Sequence, residues 1–215
     1  MIGIATLVSC PKLGQDATVR ARSKPPQWDD EADGPEVVTV PLNNRALAPL
    51  DPERVRRLRR HLVQSLRAMR TMKRPVESAS PIRPEPAGFV GKVARAACAL
   101  CRGYCCKGGG DHGYLDERVM ARVRHAQPDL DARAVMRLYV ERVPREGYAG
   151  SCLFHGATGC TLDRTLRSDV CNSYFCSGLE QFARNFEAPG CGVSIVASLD
   201  GKTRRSPPII GAPSA

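Results

Sequence analysis

The stretch that decides the fold runs from residue 98 to residue 106 and reads Cys98-Ala-Leu-Cys101-Arg-Gly-Tyr-Cys105-Cys106. Two cysteines separated by two residues have the spacing at which one tight turn directs both sulfurs toward one metal ion. Gly103 fits such a turn, because glycine adopts positive φ at little cost and lets backbone N–H groups point at the sulfurs. The stretch therefore predicts a metal-binding knuckle.

Four more cysteines follow within the next seventy residues or so and complete a set of eight predicted ligands. The predicted ligands are Cys98, Cys101, Cys105, Cys106, Cys152, Cys160, Cys171 and Cys176. Thiolates are soft anionic ligands, so they suit Zn²⁺, iron or an iron–sulfur cluster such as [4Fe–4S] better than Mg²⁺ or Ca²⁺. Two cysteines, Cys10 and Cys191, lie outside this set, and we interpret them as ordinary thiols.

Eight thiols correspond either to two sites or to one site with spare cysteines, because a tetrahedral zinc ion takes four ligands. The side chains of adjacent cysteines diverge, so Cys105 and Cys106 are not expected to bind one ion together. The expected first site is therefore Cys98, Cys101, Cys171 and one member of that pair. Cys152 and Cys160 then help to complete this site or form a second one.

A disulfide framework is the alternative interpretation of ten cysteines, and it requires an oxidising compartment. The first ten residues lack a basic flank, and their short apolar run ends at Pro11, so they make a poor signal peptide. We also find no run near the roughly 18 apolar residues of a membrane span. The sequence therefore predicts a cytoplasmic protein with reduced thiols.

The composition predicts a modest hydrophobic core, because aromatic residues make up 5% of the 215-residue chain. A bound metal would then supply part of the folding free energy. The expected fold class is mainly α with irregular cysteine-rich metal-binding loops. In this expectation a small α domain is organised around a metal site and follows a disordered N-terminal region.

The chain divides into five predicted segments. These are a largely disordered region (1–50), a basic amphipathic helix (51–74), a proline-rich linker (75–88), a cysteine-rich metal-binding domain (89–200) and a tail (201–215). Asp51 and Pro52 predict the start of the basic helix as its N-cap and its first helical residue.

Further helices are predicted over about 116–126 and 129–143, and a last one begins at Ser168. That last helix would carry Cys171 and a row of apolar residues on one face, with Cys176 pointing elsewhere. Short strands are expected at Val37–Val40 and Val193–Leu199, the second followed by an Asp200-Gly201 hairpin turn.

The net charge of +10 and the arginine-rich helix leave several partners open. The helix could contact a protein partner or an anionic surface through Arg54–Arg74, or dock its apolar stripe on the domain and leave its arginines in water. Base-stacking aromatic residues are too few in this helix to favour nucleic acid.

The cysteine pattern resembles the CxxCxxCC family of zinc- or iron-chelating proteins. The resemblance rests on the knuckle and vicinal pair, on Cys152 and Cys160, and on Arg167-Ser-Asp-Val-Cys171, and it covers about residues 95–180. Ser168 stands where the family usually has proline. The resemblance implies metal binding and names no reaction.

Two other functions remain open. A related cysteine arrangement in flagellin lysine methylases resembles an iron–sulfur site, so the first alternative is an iron–sulfur-dependent redox or protein-modifying enzyme. The second is a zinc-stabilised nucleic-acid-binding adaptor. The sequence contains no glycine-rich nucleotide loop or catalytic-triad spacing that would support an enzyme, so enzymatic activity is left undecided.

Overall fold

The computed structural model describes residues 36–72, 86–185 and 192–210. Of these residues about 48% are helical and 19% lie in strands. The helices are α1 (Pro52–Arg70), α2 (Gly88–Cys101), α3 (Glu117–Ala126), α4 (Ala132–Val140), α5 (Asp169–Ser173) and α6 (Ser177–Asn185). Two 3-10 helices cover Tyr104–Gly109 and Arg164–Leu166.

The strands are short except for β6, which is the central strand of the main sheet. They are β1 (Glu36–Pro41), β2 (Leu47–Pro49), β3 (Glu146–Tyr148), β4 (His155–Gly156), β5 (Gly159–Cys160), β6 (Gly192–Leu199), β7 (Lys202–Arg205) and β8 (Ile209–Ile210). β6 pairs in parallel with β1 and antiparallel with β7 and β8. The hairpin between β6 and β7 turns at Asp200 and Gly201, both with positive φ, which confirms the predicted turn.

The first hydrophobic core lies between the main sheet and two helices. Helices α2 and α6 pack on β1 and β6. Val38, Val40, Val93, Ile195 and Phe182 are buried there, and Cys101 belongs to the same cluster. The approach of α6 to the sheet is close, since a Cβ on Gly178 would lie 1.9 Å from the carbonyl oxygen of Thr39.

The second core is helical and lies between α1, α3, α4 and the segment from Cys152 to Leu166. Leu58 and Leu62 of α1 are fully buried against Met120 and Val135. Tyr139 is also buried, and its hydroxyl donates a hydrogen bond to the carbonyl oxygen of Leu166 (3.0 Å). The apolar stripe of α1 is therefore covered by the protein itself, and the arginines lie around it.

Local capping explains where several helices begin. Asp51 accepts a hydrogen bond from the backbone N–H of Glu53, and Asp116 and Asp131 cap α3 and α4 in the same way. Ser168 accepts from the N–H of Cys171 and caps α5, as predicted. Its φ of −64° is also the value that proline requires, so serine keeps the backbone geometry that a proline would impose.

The predicted fold class is wrong. One of its two hydrophobic cores packs against strands β1 and β6, so the protein is not a mainly α domain. It is also not organised around a metal site. Within the described ranges, the side chains of His, Cys, Asp and Glu form no group of three or more that could hold a metal ion as they stand. Two apolar cores therefore hold the fold together, which is the physical reason for the correction.

The structure also differs from the predicted segments. Residues 36–50 belong to the region predicted to be largely disordered, apart from a strand expected at Val37–Val40. They contain β1, which includes that strand, and also β2, and β1 pairs with β6 at the other end of the chain. Helix α1 shares a core with α3 and α4, which lie in the predicted cysteine-rich domain. Residues 1–35, 73–85, 186–191 and 211–215 lie outside the described residues. That set includes Cys10, Cys191, most of the predicted linker and the last residues, 211–215, of the predicted tail.

The predicted single helix after Ser168 is broken. Helix α5 ends at Ser173, Tyr174 takes an extended conformation with ψ of 127°, and α6 begins at Ser177. The break lies between Cys171 and Cys176. The break lets Leu179 and Phe182 of α6 pack on the main sheet. The apolar residues after the break therefore face the sheet and do not lie along the axis of α5.

Candidate metal centre

The knuckle forms at the C-terminal end of α2. Cys101 is the last residue of that helix, and the next two residues, Arg102 and Gly103, both adopt positive φ (55° and 63°). The chain thereby turns back, and the backbone N–H of Tyr104 donates a hydrogen bond to the Cys101 sulfur at 3.3 Å. This is the N–H-to-sulfur geometry predicted from the position of Gly103.

The eight predicted ligands are all described, and all eight are free thiols. Five of them belong to or pack against one of the two cores. Cys101 belongs to the core under the sheet, and Cys176 packs against it. Cys152 belongs to the helical core, with Cys106 and Cys160 packed against that one. The vicinal pair therefore stands at the boundary between a sheet side and a helical side.

The first four-thiol group, which we call the sheet-side group, consists of Cys98, Cys101, Cys105 and Cys176. Burial raises the pKa of Cys101, and the nearby Cys105 and Cys176 raise it further. Protein packed around the sulfur raises the pKa of Cys98 to about 12, with contributions from Cys105, Cys101 and Cys176, although the residue as a whole is exposed. Cys105 and Cys176 therefore lie close enough to Cys98 and Cys101 to shift the pKa of both.

The second group, which we call the helix-side group, consists of Cys106, Cys152, Cys160 and Cys171. Burial raises the pKa of Cys152 to about 12, and Cys160 and Cys171 add to the shift. Burial likewise raises the pKa of Cys171, where Cys160 and Cys105 add to it. Cys176 has therefore taken the place expected for Cys171 beside the knuckle, because the break between α5 and α6 sends the two thiols to different sides.

The vicinal pair links the two groups. The Cys106 thiol donates a hydrogen bond to the Cys105 sulfur, and this hydrogen bond lowers the pKa of Cys105 to about 7. The same interaction raises the pKa of Cys106, which holds the shared proton. Cys105 is therefore ionised more readily than an ordinary thiol, and thiolates rather than thiols bind metals. The two side chains of the pair therefore interact with each other and do not diverge as predicted.

His155 lies beside the helix-side group and was not predicted from the sequence as a functional residue. Its side chain is buried (1% exposed), and burial lowers the pKa of the ring. The Ser151 hydroxyl is hydrogen-bonded to Nδ1 at 2.8 Å, and the Tyr148 ring lies 4.6 Å from the imidazole, centroid to centroid. The spacing between Cys152 and Cys160 was the available signal, since this histidine stands inside that loop.

Glycines leave room around the helix-side group. A Cβ on Gly103 would lie 2.6 Å from Nε2 of His155 and 3.3 Å from the Cys106 sulfur. A Cβ on Gly109 would lie 2.8 Å from the Cys152 sulfur. Because real Cβ atoms do not approach this closely, only glycine lets the backbone pass beside these sulfurs.

Arg54 connects α1 to the loop that carries Cys152. Its guanidinium donates hydrogen bonds to the carbonyl oxygen of Ser151 (2.6 Å) and to Asp111 (2.5 Å). Partial burial acts to raise the pKa of Asp111, but hydrogen bonds from Arg54 and Arg57 outweigh it and hold that pKa below its ordinary value. The positive charge of Arg54 also favours the thiolate of Cys152, so α1 places cationic charge next to a prospective anionic site.

The donor set fits a soft metal in its chemistry, because eight thiols lie in two neighbouring groups and glycines leave space beside one of them. As stated above, no group in the described ranges is placed to hold an ion as it stands. No protein-family model matches the chain, and neither the curated proteins nor the solved structures yield a match. The resemblance to the CxxCxxCC family therefore stays a prediction.

Proposed function

We propose that this protein binds two soft metal centres, zinc or iron–sulfur, one through the sheet-side group and one through the helix-side group. The observation that carries the proposal is a set of eight free thiols that is divided between the two cores. Cys101 and Cys176 belong to or pack against the core under the sheet, and Cys106, Cys152 and Cys160 belong to or pack against the helical core. A structural zinc ion or a [4Fe–4S] cluster takes four protein ligands, and thiolates can supply all four.

Nearby cations support this proposal. A zinc ion with four thiolates carries a net charge of about −2, so two such sites need compensating positive charge. Arg54 already acts on Cys152, and Arg167 acts on Cys171 in the direction that favours the thiolate. The Lys107 ammonium lies over the Tyr104 ring, 4.0 Å from its centroid, next to the vicinal pair.

The residues have separable tasks in this proposal. The Tyr104 N–H fixes the direction of the Cys101 sulfur, and the Cys105–Cys106 hydrogen bond prepares one thiolate. When bound, zinc would tie the loops together, whereas an iron–sulfur cluster would accept and donate single electrons. Apolar side chains form both cores, so the metal is proposed as a functional group and not as the centre of the fold.

Metal analysis of anaerobically purified protein tests this function. We expect about two zinc ions or two clusters per chain, since each centre takes four thiols. Cys98→Ser and Cys152→Ser are each expected to remove about half of the metal, and the double variant nearly all of it. Cys10→Ser and Cys191→Ser are the controls, and we expect neither to change the metal content.

The visible spectrum decides between the metals, since iron–sulfur centres are brown and zinc is colourless. Electron transfer by a coloured centre would favour the alternative of a redox or protein-modifying enzyme.

A chelator is expected to remove zinc while the far-ultraviolet circular dichroism keeps its helical signal, because apolar packing holds the helices. Protein that stays metal-free in anaerobic preparations supplied with zinc and iron would contradict the proposal.

The arginines of α1 support a second proposal, a protein partner that carries an acidic segment. A groove of about 440 Å³ lies between α1 and the end of α4. Its floor is apolar, with Val55, Val140 and Val143, and its rim carries Arg56, Arg59 and Arg145. A concavity with an apolar floor and a basic rim suits an apolar side chain flanked by carboxylates better than it suits a flat lipid surface.

Binding of a fluorescent Glu-rich peptide with one central leucine tests this surface. We expect the Arg56→Glu/Arg59→Glu variant to weaken binding at least tenfold at low salt, through charge reversal at the rim. Arg67→Glu/Arg70→Glu, on the same helix but away from the groove, is the matched control. Equal losses in both variants, or preferential binding to vesicles of anionic lipid, would overturn the assignment to a protein segment.

Within the described residues, no helix is long and apolar enough to cross a membrane.

A further inference from the structure

The fourth donor of the helix-side group is open to question, because Cys171 differs from its companions. Cys152 is buried, and Cys106 and Cys160 are partly buried, whereas Cys171 is exposed. The Cys171 sulfur faces the carbonyl oxygen of Gly113 at 4.0 Å. Cys171 is therefore the most exposed residue of this group, although protein packs around its sulfur.

His155 stands on the same side of the chain as the other three thiols of this group. In the antiparallel pair of β4 and β5 it is directly opposite Cys160. Opposed residues of an antiparallel pair project to the same face, with their Cβ atoms about 4.5–5.5 Å apart. The backbone N–H of His155 also donates to the carbonyl oxygen of Cys152 at 2.9 Å, so one tight turn carries both residues.

The ring of His155 presents Nε2 to the Cys106 sulfur. Both atoms lie close to the point where a Cβ of Gly103 would stand, 2.6 Å for Nε2 and 3.3 Å for the sulfur. Two atoms this near to one point are separated by about 6 Å or less. Rotation of a cysteine side chain about χ1 moves its sulfur between staggered positions, which is the kind of movement needed to bring the sulfur and Nε2 to one ion.

The hydrogen bonding of the ring leaves Nε2 available. Nδ1 is held by the Ser151 hydroxyl at 2.8 Å, and Nε2 has no hydrogen-bond partner in the described part of the chain. An imidazole that binds a metal through one nitrogen usually has the other nitrogen fixed by a hydrogen bond, which sets its tautomer and orientation. Ser151, itself 1% exposed, occupies that supporting position.

From these contacts we propose that His155 is the nitrogen ligand of the helix-side centre, with Cys106, Cys152 and Cys160 as its sulfur ligands. This inference rests on the proposed metal-binding function and names a ligand that the cysteine pattern does not contain. Three cysteines and one histidine form a common set for structural zinc. Cys171 is then a thiol beside the centre and not one of its ligands.

Cobalt(II) is the probe for this assignment, because its visible spectrum reports how many sulfurs bind it. Titrated anaerobically, the full chain is expected to bind about two equivalents, in line with two four-ligand centres. His155→Ala is expected to lose one of the two tight equivalents, whereas Cys171→Ser keeps both. His112→Ala, which removes an exposed loop imidazole, is the matched control and is expected to keep both.

X-ray absorption of the zinc-loaded Cys98→Ser/Cys101→Ser variant reports the helix-side centre directly, without altering His155. The expected result is three sulfurs at about 2.3 Å and one nitrogen at about 2.0–2.1 Å from zinc. Four sulfurs in this variant, or loss of an equivalent in Cys171→Ser but not in His155→Ala, would overturn the assignment of His155. Absence of cobalt binding by the unmodified chain would instead contradict metal binding itself.

Discussion

Leu62→Ala is expected to destabilise the protein by about 2–5 kcal/mol, the range for a large-to-small change in a packed core. Leu62 is fully buried, and together with Leu58 it joins α1 to α3 and α4.

Deleting residues 1–88 removes both leucines and also β1, the parallel neighbour of β6. Because domains have only about 5–15 kcal/mol of total stability, the truncated chain is expected to lose cooperative folding altogether.

Urea unfolding followed by circular dichroism measures both effects. Gln64→Ala lies two residues from Leu62 on the exposed face of α1, and we expect it to change the free energy of unfolding by no more than about 0.5 kcal/mol. A folded 89–215 fragment with an unchanged unfolding midpoint would show that α1 is dispensable and that the boundary predicted at residue 89 is a true domain boundary.

Gly103→Ala is expected to lower the free energy of unfolding by about 2–5 kcal/mol and to reduce metal binding by the helix-side group. Two costs add here. A φ of 63° costs a residue with a Cβ roughly 1–2 kcal/mol, and overpacking typically costs about 1–3 kcal/mol more. The atom in the way, Nε2 of His155 at 2.6 Å, has little room to retreat because its ring is buried and held by Ser151.

Gly88→Ala separates these two costs. Gly88 has nearly the same φ, 61°, but a Cβ there would meet nothing within 4 Å. We therefore expect it to lose only about 1–2 kcal/mol, with no change in metal content. If Gly103→Ala and Gly88→Ala have equal effects in thermal unfolding and metal analysis, the close approach of His155 to the knuckle does not matter.

The local elements could be predicted from particular residues because their causes are local. Asp51, Asp116 and Ser168 act within one helical turn, and each caps the helix that follows it. The Asp200-Gly201 turn and the reversal of the chain at Gly103 depend on the conformational freedom of one or two residues. Such features involve neighbours in the sequence, so a pattern of residue types is enough to indicate them.

The long-range pairings could not be predicted in the same way. Parallel pairing of Val38 with Ile195 joins residues separated by most of the chain, and alternation within each strand does not name the partner. The sequence alone, which does not reveal that sheet, predicts one helix in place of α5 and α6, with Cys171 on its inner face. In the structure, Leu179 and Phe182 pack on the sheet, the helix breaks, and Cys176 joins Cys98 and Cys101.

The amino-acid sequence by itself determined which eight thiols are available and that the chain turns back just after Cys101, because these follow from spacing and backbone geometry. Only the tertiary structure decided how the thiols divide between two sides and that His155 lies among those of the helix side. The physical reason is that burial of apolar surface is non-directional and acts between distant segments. The packing of two cores, which spacing alone does not encode, sets which cysteines meet.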